Sequence, residues 1–187
     1  EVGQIVGGRE GDQTGNESNT QPYYDYPWDC ILRYVGGGAS GGSPAPDPAP
    51  SCGINIHLQA KASDGRVLPK VTNNSDNAGD GVSMPYLSAW VDAGVLDVQA
   101  DDLPVLQNPS NINDTDAGSA GDGTPMTKLS MYLWSPSSDM AVYYRVMVKG
   151  AWLAWMRDHT DLGGSGDTFA GNGRDPIQRV EAYIGRA

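Results

Sequence analysis

Aromatic side chains with a polar edge are the residues of this sequence best suited to recognition chemistry. The chain has five tryptophans and nine tyrosines but only one phenylalanine, Phe169. Such rings serve binding surfaces as well as cores, and their flat faces suit the apolar side of a pyranose ring. Trp90 follows a strand alternation that should leave it facing solvent. Trp152 and Trp155 are three positions apart, so in a strand they would face opposite sides, one in the core and one at the surface.

Polar residues near the C-terminus could complete a site for a sugar polymer. Asp167 and Asn172 could hydrogen-bond to sugar hydroxyls, and Arg145 and Arg174 could make bidentate contacts to phosphate or carboxylate groups. Each residue also has a structural alternative. Asp and Asn occur in any tight loop because their side chains bond nearby backbone amides. The arginines could pair with acidic neighbours, and the two tryptophans of the pair could both pack in the core.

Catalytic and metal chemistry is poorly supported. Cys30 and Cys52 form neither a disulfide scaffold nor a zinc site, although they could pair with each other. A cysteine nucleophile needs a histidine nearby, and both histidines lie in a different region. Residues 111–118 have closely spaced oxygen ligands and a glycine, as calcium loops do, but lack the downstream bidentate glutamate. We therefore predict no catalytic residue, no metal and no cofactor.

The charge of the chain limits its partners. A formal net charge of -11 argues against a nucleic acid, which needs a basic face, and against docking on anionic lipid. No apolar run approaches the roughly 20 residues that span a bilayer. Residues 143–187 carry 6 basic and 5 acidic residues and are the only part not repelled by an anionic polymer. Affinity for such a polymer must therefore come from shaped contacts.

The chain has three parts. Residues 36–51 are rich in Gly and Ser and then in Pro, which is typical of a linker that is first flexible and then stiffer. Residues 1–35 are too few to bury a core unaided. Residues 52–187 are enough for a full domain.

Residues 52–187 contain a pattern that occurs three times. Each unit has an alternating strand, a short apolar run, a loop ending in Ala-Gly-[Asp/Asn]-Gly, and a Pro followed by a strand. The Ala-Gly-x-Gly segments are 78–81, 120–123 and 170–173. Four residues past each Pro stand Ala89, Leu129 and Val180, and six past stand Val91, Met131 and Ala182, so these should face one side of a strand. We predict an all-β fold of three internal repeats with pseudo-threefold symmetry, a β-trefoil or β-prism-like domain.

The third unit resembles a known family. YYRVMVKGAWLAWMRD followed by GDTFAGNGRDPIQRVEAYI is similar to the tryptophan-containing repeats at the C-termini of Gram-positive phage endolysins and clostridial surface proteins. Met147 and Met156 depart from the family pattern, the first unit resembles it weakly, and the second keeps only the Ala-Gly loop and spacing. The resemblance implies binding to the bacterial cell wall. The matching residues are Tyr144, Arg145, Val146, Gly150, Trp152, Leu153, Trp155, Ala170, Gly171, Ile177, Val180, Glu181 and Ala182.

The first 35 residues carry a second resemblance. GDQTGNE (11–17) and YYDYPWDCILRY (23–34) are similar to a segment of the catalytic domains of phage-type cysteine peptidases or amidases that cut peptidoglycan. Their Cys/His catalytic pair is not recognisable here. The resemblance implies a remnant or edge of a catalytic domain at 1–35, a linker at 36–51 and a cell-wall-binding domain at 52–187, the order of a modular lysin. It further implies a location in the host cytoplasm and then at the cell wall, or secretion.

Three functions follow as alternatives. In the first, the chain binds a cell-wall glycopolymer and targets a peptidoglycan hydrolase, with no activity of its own. In the second, residues 1–35 complete a hydrolase in which Cys30, or Asp25 and Asp29 as paired carboxylates, take part. In the third, the chain associates with other copies of itself or with the full-length lysin, which multiplies wall contacts.

Overall fold

The computed structural model of the protein describes residues 53–109, 112, 118–134 and 139–187. The predicted catalytic remnant, the linker, Cys30 and Cys52 lie outside the described residues. So does the candidate calcium segment, apart from its residues 112 and 118.

The described chain is all-β, as predicted, and has three separate sheets with antiparallel pairing throughout. In the described part of the chain a 3-10 helix covers Asn73–Ser75. No helix in the described part of the chain is both long and apolar enough to cross a membrane. The strands in chain order are β1 (Ile56–Lys61), β2 (Val71–Thr72), β3 (Tyr86–Val91), β4 (Val95–Ala100), β5 (Leu106–Gln107), β6 (Lys128–Trp134), β7 (Met140–Val148), β8 (Ala151–Trp152), β9 (Met156–Arg157), β10 (Thr160–Asp161), β11 (Ala170–Gly171) and β12 (Ile177–Arg186).

The strand order differs slightly among the sheets. The first sheet runs β2-β1-β3, the second β11-β6-β4-β5, and the third β10-β9-β7-β12 with β8 paired to β7. In each sheet one long strand lies between a long partner and a short one. The register of these pairings defines corresponding positions. One set of corresponding positions consists of Leu58 of β1, Val98 of β4 and Tyr144 of β7. Each of these residues belongs to the central strand of its sheet and pairs with one residue of the long neighbouring strand and one of the short neighbouring strand, at the same position in the ladder.

One hydrophobic core receives side chains from all three sheets. It forms because alternate residues of the long strands are apolar, as in the buried-intermediate alternation of β1, β4 and β6. Of the six residues predicted to face inward, five are buried, and Val91 is partly buried against the same core. The five are Ala89, Leu129, Met131, Val180 and Ala182.

Each Ala-Gly segment links its own unit to the final strand of another unit. The three links are the backbone bridges Ala78–Val180, Ala120–Leu87 and Ala170–Leu129. Leu87 therefore corresponds to Leu129 and Val180, and the predicted alignment through Ala89 is two residues out of register. The error leaves the inward face correct, because a shift of two residues keeps a side chain on the same side of a strand.

The glycine after each of these alanines is required by close packing. Gly79, Gly121 and Gly171 have φ of 123°, 111° and 120°. A Cβ built on them would lie 2.3, 2.1 and 2.2 Å from the backbone carbonyl oxygens of Gln178, Pro85 and Thr127, which lie near or just before the start of the neighbouring strand. Only glycine allows the two backbones to approach so closely.

A second recurring feature was not predicted from the sequence. Asn73, Asn108 and Asp158 have left-handed backbones, with φ of 53°, 44° and 49°, directly after β2, β5 and β9. Their Oδ1 atoms accept the backbone N–H groups of Ile56, Leu96 and Val142 at 3.0, 2.8 and 3.1 Å. Asn and Asp tolerate this conformation better than other side chains with a Cβ, so one residue both turns the chain and satisfies a buried amide.

Candidate functional site

The outer face of the third sheet carries a charged pair. Alternation along β7 places Tyr144 and Val146 in the core and Arg145 on the opposite side. Register places Glu181 of β12 directly across from Arg145. Arg145 Nε and Nη2 each lie 2.8 Å from Glu181 Oε2, and the two side chains are only 23% and 17% exposed. The pair is therefore mostly desolvated and mutually neutralised.

Two indole rings lie against the same guanidinium. Arg145 Cζ is 4.7 Å from the Trp152 ring centroid and 4.6 Å from that of Trp155. The two rings do not face opposite sides of a strand, because β8 ends at Trp152 and β9 begins only at Met156. Trp152 is half-buried and Trp155 is 8% exposed. We call Arg145, Trp152, Trp155 and Glu181 the arginine stack.

The stack continues onto two tyrosines. Trp155 meets Tyr183 edge-on at 5.3 Å between ring centroids, and Tyr183 stacks parallel on Tyr143 at 5.0 Å. Burial raises the pKa of Tyr183 well above its usual value. Trp155 is therefore a packed residue, whereas Trp152 keeps part of its surface in solvent.

The other two sheets have a different pair at the positions of Arg145 and Glu181. Gln59 and Ser88 occupy them in the first sheet, and Gln99 and Ser130 in the second. Each of these serines donates a hydrogen bond to a backbone carbonyl of a loop from the next unit, Ser88 to Gly118 at 3.4 Å and Ser130 to Thr168 at 3.1 Å. In these sheets a loop therefore lies over the polar pair.

Loop length explains why the third sheet differs. Ala120 and Ala170 follow Asn108 and Asp158 by twelve positions, but Ala78 follows Asn73 by only five. The short loop that reaches the third sheet leaves room over its centre, and the two indoles of the arginine stack fill that room. The tryptophans thus have a structural role in addition to any role in binding.

A cavity of about 290 Å³ lies beside the stack. The segment between Trp152 and Trp155 contributes Leu153 to its wall, so the cavity and the stack share one stretch of backbone. The volume is near the lower end of the range for small-ligand sites. Its principal apolar lining residues are Leu153, Met156 and Phe169, and its polar ones are Asp161, Asp167 and Asn172.

The polar side chains of the cavity are held by the loop that bears them. Asp161 accepts the N–H groups of Gly163 and Ser165 at 2.8 and 2.7 Å, and hydrogen bonding from Ser165 lowers the pKa of Asp161. Asp167 Oδ2 accepts the Ser165 hydroxyl at 2.8 Å. Both carboxyl groups are consequently fixed in place, and Asp161 is charged at neutral pH.

Asn172 combines two roles. Its Oδ1 accepts the N–H groups of Arg174 and Asp175 at 3.0 and 2.8 Å. Asp80 and Asp122 make the same contact to the residue two positions on, at 2.9 Å each. At all three loops the side chain of Asp80, Asp122 or Asn172 therefore stabilises a tight turn, which is the structural role that the sequence offered as the alternative to ligand binding. Of these three residues only Asn172 lines the cavity.

The structure brings five of the predicted site residues together in two groups and places the other two, Arg174 and Trp90, outside them. Arg145, Trp152 and Trp155 meet in the arginine stack, and Asp167 and Asn172 meet at the cavity. Arg174 is exposed beside Asn172. Trp90 lies on the first sheet, partly exposed and next to His57.

Several residues of the site were missed or left unplaced by sequence reasoning. Glu181 was named only for its family match, and its contact with Arg145 depends on strand register. Phe169 had no assigned role, and the only signal was its adjacency to the Ala-Gly segment. Among the described residues no group of three or more His, Cys, Asp or Glu side chains is placed to hold a metal ion.

Comparison with known proteins relates the chain to the endolysins. Residues 1–37 match the endolysin-like domain family. No curated protein and no solved structure matches the chain. The matched residues precede the three sheets in the sequence and do not overlap with them.

Proposed function

We propose that residues 52–187 bind a glycopolymer of the Gram-positive cell wall and so direct a peptidoglycan hydrolase, an endolysin, to its substrate. The observation that carries the proposal is the cavity beside the arginine stack, where an apolar wall adjoins fixed hydrogen-bonding groups. The endolysin-like match at residues 1–37 and the resemblance of the third unit to wall-binding repeats support the same conclusion.

The lining of the cavity suits a sugar unit. Leu153 and Phe169 offer apolar surface to the C–H face of a pyranose, while Asp167 offers acceptors for its hydroxyl groups. Lys128 Nζ lies 5.4 Å from the Phe169 ring centroid, which adds a donor near the aromatic ring. Because the polar groups are already oriented by their own loop, little ordering would oppose binding.

We further propose that the three units are copies arranged around a pseudo-threefold axis, in a β-trefoil or β-prism-like domain. Support comes from the three Ala-Gly bridges, the three tightly packed glycines and the three left-handed Asx residues. The bridges join the first unit to the third, the third to the second and the second to the first, so the three units form a closed ring of contacts. Closure of this kind leaves few sheet edges free.

The test is co-sedimentation of the labelled chain with purified walls, before and after acid extraction of secondary wall polymers, with turbidity followed in the same tubes. We expect binding without clearing. Loss of binding after extraction identifies a secondary polymer as the ligand. Failure to sediment with walls of any Gram-positive host tested would refute the proposal, and clearing would show that the chain is itself a hydrolase.

A matched pair of variants tests the cavity. Asn172→Ala and Asp122→Ala each remove the same loop contact, but only Asn172 lines the cavity. We expect Asn172→Ala and Asp167→Ala to weaken wall binding about tenfold or more, and Asp122→Ala to leave it unchanged. Equal losses in Asn172→Ala and Asp122→Ala would mean that the loops act only through stability.

A further inference from the structure

The first sheet carries a polar cluster around an aromatic ring, separate from the cavity. Trp90 lies across from His57 in the β1–β3 ladder, and their ring centroids are 5.3 Å apart. Asp92, just beyond the end of β3, accepts hydrogen bonds from Asn55 Nδ2 at 2.7 Å and contacts His57 Nε2 at 2.8 Å. The other ring nitrogen of His57, Nδ1, is 3.0 Å from Thr72 Oγ1. We call these five residues the Trp90 cluster.

The cluster is not needed to form the sheet. Val95 and Ala141 stand at the positions that correspond to Asn55, and Trp134 and Gly185 at those of Asp92. The second and third sheets form the same strand ladder without these side chains. In the first sheet the cluster adds contacts between strands, from His57 to Thr72 and to Trp90, and Asn55 accepts a hydrogen bond from Asn73 at 2.9 Å. Ordering several polar side chains at a surface costs conformational entropy that offsets part of this gain.

The cluster is fixed and partly open to solvent. His57 is 13% exposed, whereas Asp92 is 47% exposed and keeps acceptor capacity toward solvent. Hydrogen bonds from Asn55 and then His57 lower the pKa of Asp92, so it is ionised at neutral pH. Lys70 Nζ lies 6.0 Å from the Trp90 ring centroid and has no carboxylate partner among the described residues.

This set of groups matches a neutral sugar ring. One indole face, one carboxylate and one ammonium provide stacking, an acceptor and a donor, while the two charges offset each other. An anionic ligand would meet the ionised Asp92, and a cationic one would meet Lys70.

We infer that the Trp90 cluster is a second carbohydrate site that binds a neutral pyranose. The inference extends the proposed function and rests on it for the class of ligand. With the cavity on the third sheet, the chain would hold a wall polymer at two points. Two linked sites give an avidity that exceeds the affinity of either alone.

The test is an NMR titration of the ¹⁵N-labelled full chain with a soluble N-acetylglucosamine tetramer. The indole N–H signal of Trp90 is assigned by its loss in Trp90→Phe. We expect this signal and the His57 ring signals to move saturably, while that of Trp134, which is 57% exposed on the second sheet, stays in place. Asp92→Asn should weaken the response about tenfold, since it removes the charge that the sugar hydroxyls meet.

The outcomes separate this inference from the proposed function. Movement of the Asn172 side-chain amide without Trp90 would overturn the second site and leave the cavity in place. Movement of Trp90 only with an anionic wall polymer would overturn the assignment to a neutral sugar. Wall binding with neither signal moving would overturn it as well. Unchanged backbone amide signals in Asp92→Asn, a substitution at a partly exposed side chain, show that a lost response is not unfolding.

Discussion

Replacement of Asp158 by alanine should lower the stability of the domain, whereas replacement by asparagine should preserve it. Asp158 has a left-handed backbone, and its Oδ1 accepts the N–H groups of Val142 at 3.1 Å and Leu133 at 3.2 Å. Asn73 and Asn108 do the equivalent work in the other two sheets. Asparagine therefore preserves the contact, whereas alanine removes it.

The expected loss for Asp158→Ala follows from these contacts. Val142 and Leu133 are 0% and 4% exposed, so each amide would be left buried without an acceptor, at about 1–3 kcal/mol apiece. A left-handed alanine adds about 1–2 kcal/mol. The sum is about 3–8 kcal/mol, a large part of the roughly 5–15 kcal/mol that stabilises a typical domain.

The pH dependence distinguishes the asparagine variant from the wild type. Burial raises the pKa of Asp158, so the native state holds this proton more tightly than the unfolded state does. The contribution of Asp158 to stability is full below its unfolded pKa of about 4 and declines as pH rises through the higher folded pKa. Asp158→Asn does not titrate. Its stability relative to wild type should therefore increase with pH across this window and then remain level.

Urea unfolding followed by tryptophan fluorescence, at several pH values from 3 to 8, measures both effects. We expect Asp158→Ala to lower the free energy of unfolding by about 3–8 kcal/mol, and Asp158→Asn to equal or exceed wild type at neutral pH. Equal destabilisation by the two variants would refute the assigned role of the Oδ1 atom. A constant difference between Asp158→Asn and wild type at every pH would refute the raised pKa.

Three other predictions concern the packing of the sheets. Gly121→Ala places a Cβ 2.1 Å from the Pro85 carbonyl oxygen and should lower the free energy of unfolding in urea by about 2–5 kcal/mol. Gly164→Ala is the control and should cost less, because Gly164 also has a positive φ but has open space around it. Arg145→Gln and Glu181→Ser alone should each cost about 1–3 kcal/mol, since each leaves a partly buried partner unpaired. The double variant recreates the pairs Gln59/Ser88 and Gln99/Ser130 of the other sheets and should lose less stability than the sum of the single variants. Additive losses would contradict the pairing. Burial raises the pKa of Tyr144 to about 12 and that of Tyr183 well above its usual value, so ultraviolet titration of the folded protein should leave these two tyrosines un-ionised at pH 11. Tyr144→Phe should lower the number of un-ionised tyrosines by one and cost about 1 kcal/mol through the lost bond to the Asp158 carbonyl. Stability should fall as pH rises above about 10, because unfolding frees the Tyr144 hydroxyl to ionise.

The sequence alone determined the fold class and the position of its recurring loops. Alternation of apolar residues is a local signal with a period of two, so it identified the inward faces of β3, β6 and β12 even though the first unit was aligned two residues out of register. The Ala-Gly segments were visible because close backbone packing accepts only glycine. The left-handed Asn73, Asn108 and Asp158 escaped notice, because a single Asn or Asp has many other local uses.

Tertiary structure alone decided which of the candidate side chains meet. Arg145 and Glu181 are 36 positions apart and pair only through strand register. Trp152 and Trp155 share one guanidinium because no strand joins them and because the short loop of the first unit leaves the third sheet uncovered. The cavity arises between one strand connection and one loop, and the Trp90 cluster unites residues that are far apart in sequence at one end of the first sheet. Such contacts depend on long-range packing and loop length, which local sequence patterns do not encode.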